Sequence, residues 1–116
     1  MALTERMIAR QVWQYCCNLH KIVCWHTPNE GKRSYFTAAD LKSQGLLPGV
    51  ADFVFLWAGG CGCIELKTPA AYRRKNHGLS DAQLEFKEWC EECGVPYEIA
   101  DSLEAVQAIL KKWKTL

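Results

Sequence analysis

No apolar run in this 116-residue chain approaches the ~20 residues needed to span a bilayer. The opening Thr4-Glu5-Arg6 is polar and has no secretory apolar stretch, which points to the cytoplasm. Neither sign of charge dominates: the formal net charge is +1, so bulk electrostatics does not announce a nucleic-acid binder. No internal repeat and no low-complexity tract breaks the chain. With 49% apolar and 23% charged residues, composition does not indicate disorder and fits a soluble globular protein. The length suits one domain over 1–116 with one core. What is present in an odd number is cysteine, with seven residues. In a reducing compartment these read as small buried hydrophobes or metal ligands rather than a disulfide framework.

Hydrophobic spacing then lays out the elements. Ile8, Val12, Tyr15, Cys16 and Leu19 recur at three- and four-residue intervals and predict an amphipathic helix over 4–19. Glu5 projects at the end of that stripe. Taken alone, it is either an acid turned inward or a first-turn acid favouring the helix dipole behind Thr4. Lys21 to His26 reads as a strand, Thr27-Pro28-Asn29-Glu30-Gly31 as turn chemistry, and 37–44 as a short helix capped by Thr37 and stopped by Gly45. Two apolar runs, 52–57 and 62–67, flank Ala58-Gly59-Gly60, a hairpin signal. Ser80-Asp81-Ala82-Gln83 has the form of a capping box, opening a helix that runs to Cys93 and stops at Gly94. A strand over 96–100 and a final helix capped by Ser102 complete the order helix, three strands, helix, strand, helix. Hairpin-type links predict an antiparallel meander, and the last strand-helix-strand unit should be parallel. The expected class is α/β, with a mixed sheet flanked by helices.

The chemistry concentrates on Asp52, Glu65 and Lys67. Side chains repeat every two residues along a strand, so Glu65 and Lys67 emerge on one face. Pairing the two runs brings Asp52 close to Glu65. Two carboxylates in a half-buried site repel unless a divalent cation neutralises them, and hard oxygen ligands suit Mg²⁺. A lysine beside them can hold an anion or offset charge developing on a phosphate. Directly after Lys67 comes Tyr72-Arg73-Arg74-Lys75-Asn76-His77, read as a loop with three fixed positive charges. It could contact phosphates, or simply be a solvated surface segment.

Together these marks resemble the VRR-NUC (virus-type replication-repair nuclease) family of the PD-(D/E)XK nucleases, over nearly the whole chain. The marks are Glu5, the run 26–31, Gln44-Gly45-Leu46-Leu47-Pro48-Gly49-Val50-Ala51-Asp52, Ile64-Glu65-Leu66-Lys67, Leu79-Ser80-Asp81-Ala82-Gln83 and Cys93-Gly94-Val95-Pro96-Tyr97. One departure is Ala51, where the superfamily often has proline. The resemblance implies a restriction-endonuclease-like α-β-β-β-α-β core plus a C-terminal helix, and DNA phosphodiester hydrolysis with Mg²⁺ or Mn²⁺. Asp52 and Glu65 would be metal ligands, joined by the Leu66 carbonyl. Lys67 would orient or activate the attacking water, Glu5 would hold a second ion or a coordinated water, and Gln83 would position the site. Arg73, Arg74 and Lys75, with Asn29 and Lys87, are the DNA-contact candidates. Stand-alone relatives of this size look viral or prophage-borne and act on branched DNA. Symmetric cutting of a four-way junction by a chain with one site would require a homodimer.

Rival readings remain. A flap- or nick-directed nuclease would use the same residues. A zinc-stabilised binding module would use Cys61, Cys63, Cys90 and Cys93, although Cys90 and Cys93 fall on a helical apolar stripe. An inactive relative would have lost Asp52, Glu65 or Lys67, and none is lost. Trp25, Trp57, Trp89 and Trp113 are read as core rather than base-stacking platforms, while Trp13 lies off its stripe and could serve a subunit contact.

Overall fold

A computed structural model describes residues 3–27 and 35–113. The first helix, α1 (Glu5–Cys16), starts where the Thr4 hydroxyl accepts the Met7 N–H at 3.2 Å, and it buries Ile8, Val12 and Cys16. It ends three residues short of the expected limit, and the chain turns into β1 (Ile22–His26). The next helix, α2 (Tyr35–Ser43), begins two residues before the expected Thr37 cap. Its end is as expected: Gly45, at φ +99°, lets Gly45 and Leu46 N–H reach back to the Lys42 and Leu41 carbonyls, each at 3.0 Å.

Four strands form one sheet in the order β1, β2 (Phe53–Trp57), β3 (Gly60–Leu66) and β4 (Tyr97–Ala100). The first three are antiparallel neighbours, and β4 lies parallel to β3. This is the mixed sheet that the sequence predicts. The β1–β2 link carries α2, the short helix expected over 37–44, and is therefore longer than the hairpin-type link also expected there. Pairing of Phe53 with Ile64 sets the β2–β3 register, which brings position 52 opposite Glu65.

One sheet face buries Phe53, Phe55, Ile64 and Leu66 against α1 and α5 (Leu103–Lys112). Trp113 lies over Gly62, where any Cβ would come within 2.6 Å of the indole ring. The other face carries a smaller cluster, Ala51, Cys63 and Cys90, beneath α4 (Asp81–Glu92). Gly49 sets the distance to that helix: its φ is +84°, and a Cβ there would lie 2.3 Å from the Ala82 carbonyl oxygen. Only glycine permits both the conformation and the approach.

Two expectations about packing are overturned. Trp25 and Trp89, expected in the core, are 43% and 40% exposed. Trp25 lies on the edge strand β1, whose burial alternates, and Trp89 sits beside rather than on the line through buried Cys90. Trp57 and Trp113 do pack on the core, with ring centroids 5.6 Å apart. The basic stretch is also more ordered than a loop. Thr68 caps the short helix α3 (Pro69–Tyr72), and a 3₁₀ turn follows over Lys75–Gly78. There the His77 ring stacks on Tyr72, centroids 4.2 Å apart.

Candidate active site

Asp52 enters the site just before β2. Its Oδ2 accepts the Leu66 N–H from β3 at 2.7 Å, a buried bond to a charged acceptor worth about 1.5–3 kcal/mol. Its own carbonyl accepts the Thr27 N–H at 2.7 Å, tying the approach to β2 to the residue after β1. Glu65 follows from the register and is 2% exposed. Its Oε2 accepts the Gln83 amide at 3.1 Å, whereas Oε1 is buried with no hydrogen-bond donor among the described residues. Burial pushes the Glu65 carboxyl up to about 10, with a hydrogen bond to Asp52 and the Asp52 charge adding to the effect and Lys67 opposing it. Without a cation, this acid keeps its proton.

Lys67 lies one residue past β3, with 8% exposure, and its Nζ donates to Gln83 Oε1 at 3.0 Å. Gln83 therefore bridges Glu65 on β3 and Lys67 just past it. Its position comes from the capping box: Gln83 N–H donates to the Ser80 hydroxyl at 3.2 Å, and Ser80 N–H donates to Gln83 Oε1 at 2.8 Å. A sequence feature that starts a helix thus also aims a site residue.

The start of α1 supplies Glu5. Candidate ligand oxygens of Glu5, Asp52 and Glu65 all lie within 4.8 Å of one another. With Thr4, Arg6, Lys67 and Gln83 these residues line a cavity of about 480 Å³. The donor set fits a divalent cation: three hard carboxylate oxygens converge, and one buried oxygen has no hydrogen-bond donor among the described residues. No other group of three or more His, Cys, Asp or Glu gathers this closely among the described residues. The four cysteines of the zinc reading do not converge on one point. Cys63 and Cys90 instead pack together, and burial followed by the Cys90 interaction pushes the Cys63 thiol up to about 12.

The DNA-contact candidates are more scattered. Arg73, Arg74 and Lys75 are exposed beyond α3 and do not line the acidic cavity. Lys87 pairs with Glu91 at 2.5 Å and lines a separate cleft with Tyr72, His77 and Tyr97. Asn29 lies outside the described residues. Thr4 and Arg6 are cavity residues that sequence reasoning did not pick out. The available signal was their place beside Glu5 in the first turn.

No family profile matches this chain, and no curated protein matches it. Among solved structures it shares its fold with a chain described as "VRR_NUC domain protein", with a TM-score of 0.71 and 19% identity over 96% of this chain and 88% of the other. That likeness carries the fold expected from the sequence, the restriction-endonuclease-like mixed sheet flanked by helices.

Proposed function

We propose that this protein is a divalent-metal-dependent DNA endonuclease. The observation that carries the reading is the convergence of Glu5, Asp52 and Glu65 within 4.8 Å, in a cavity that also receives Lys67. Support of a second kind is the fold shared with the VRR_NUC domain protein.

In this reading Asp52 and Glu65 hold the cation, with the Leu66 carbonyl completing the chain's share and Glu5 serving a second ion or water. The Leu66 N–H fixes one Asp52 oxygen and leaves the other for a cation. When bound, Mg²⁺ or Mn²⁺ supplies Lewis acidity, lowering the pKa of water and drawing charge from the scissile phosphate. Lys67 Nζ meets the developing charge on the phosphate and orients the attacking water. Gln83 positions both Lys67 and Glu65 through its two amide atoms. Arg73, Arg74 and Lys75 give the exposed positive charge that a flanking DNA backbone would meet.

Branched DNA, with Holliday-junction resolution as the leading case, is the substrate the sequence resemblance favours. Paired incisions then need two sites, hence a two-fold homodimer. Sedimentation at micromolar concentration should give a dimer, and a strict monomer would remove the resolvase form of the proposal. The chemistry is tested by incubating labelled duplex, flap, splayed-arm and four-way DNA with Mg²⁺ or Mn²⁺. The parent should cut at least one of them, and Asp52→Ala and Lys67→Ala should not. Variants that cut as fast as the parent would overturn the site assignment.

A further inference from the structure

Beside the acidic cavity lies a second hollow of about 510 Å³, within the range of about 300–1,000 Å³ typical of ligand pockets. It runs between α1 and the edge strand β1. Its lining includes Arg6, Arg10, Trp13, Trp25, His26 and Phe53. Trp13 and Trp25 are 46% and 43% exposed, a large amount of indole surface to leave in water. His26 packs against Phe53 with ring centroids 5.0 Å apart and planes tilted by 39°, and its Nε2 is buried with no hydrogen-bond partner among the described residues. Arg6 lines both hollows, so the two are neighbours on either side of its side chain.

We infer that this hollow is a nucleotide subsite that takes an unpaired base of the strand whose phosphate enters the acidic cavity. The inference rests on the nuclease reading and narrows its substrate to DNA with an unpaired nucleotide beside the cut bond. The chemistry of the lining selects the occupant. Indole faces stack on any base, and Arg6 and Arg10 attract the phosphates on either side. A base inside a duplex is paired and stacked and cannot reach such a hollow. A second copy of this chain fits less well, because the named lining brings two arginines and no acid, and self-association would set like charges together.

The test uses a labelled duplex and the same duplex carrying a short single-stranded flap with 2-aminopurine at the first unpaired position, in Ca²⁺. Stacking on an indole should quench the 2-aminopurine in the parent complex, and Trp25→Ala should restore its emission. Affinity of Trp13→Ala and Trp25→Ala for the flap DNA should fall about 5- to 150-fold, the fold-change expected for one base stacked on an aromatic ring, while duplex affinity stays nearly constant. Trp25→Phe should keep most of the flap affinity. Equal losses on both DNAs, or a bright 2-aminopurine in the parent complex, would overturn the subsite. So would variants that lose self-association while keeping the flap preference, which would make the hollow a contact between copies. The two readings fail separately. Quenching by a parent that cleaves nothing would sink the nuclease and leave the subsite, whereas cleavage with unquenched base would do the reverse.

Discussion

Glu65 carries a pH signature that follows from its burial. Its carboxyl ordinarily titrates near 4.5 and in the folded protein is pushed up to about 10. Between these limits the folded metal-free protein holds a proton that the unfolded chain has released. Stability must therefore fall as pH rises through that window, by about 1.4 kcal/mol per pH unit for one such group. Thermal melts in a chelator from pH 5 to 9 should show the decline, and Glu65→Gln, which cannot ionise, should flatten it. Added Mn²⁺ should stabilise the parent more at pH 8 than at pH 6, because the cation replaces the proton. If the proposed nuclease role holds, loss of the Lys67 amine removes one preorganised charge at the phosphate, so Lys67→Ala should lower turnover about 10²- to 10³-fold with DNA binding largely kept. Single-turnover cleavage and anisotropy together check this. The two-residue period put Glu65 and Lys67 on one face, and the hairpin register put Asp52 opposite Glu65, so the centre of the site was legible in the sequence. The burial that raises Glu65 was not, since it depends on how α1 and α4 close over the sheet.

At the scale of elements, α4 is held at its distance by Gly49 and aimed by Ser80. Gly49→Ala meets both a positive φ and the Ala82 backbone, so it should destabilise by about 2–4 kcal/mol in urea denaturation. Gly59 has a similar φ of +80° but nothing within 4 Å, so Gly59→Ala should cost only about 1 kcal/mol. Equal effects would mean that the contact with α4 does not matter. The capping box and the glycine stops at Gly45 and Gly94 could be read from sequence because each is a local motif with its own hydrogen bonds. Trp25 and Trp89 were misplaced for the opposite reason. Periodicity says which residues share a face, but coverage of that face is a tertiary matter, and β1 is an edge. The short helix α3 that leads into the basic stretch was not predicted, although Thr68-Pro69, a cap followed by proline at the first position, announces one.

For the whole molecule, two layers of helix on a mixed sheet converge at one end, where the starts of α1, β2 and α4 and the end of β3 meet. Each contributes one or two polar side chains, and no single segment could build the site alone. No described helix is long and apolar enough to cross a membrane. The central claim is that this convergence binds a divalent cation, and anomalous diffraction from crystals grown in Mn²⁺ tests it directly. A manganese peak about 2.0–2.3 Å from both an Asp52 and a Glu65 oxygen is the predicted result. A protein that cleaves DNA in a chelator, or crystals saturated with Mn²⁺ and empty between those two carboxylates, would contradict it.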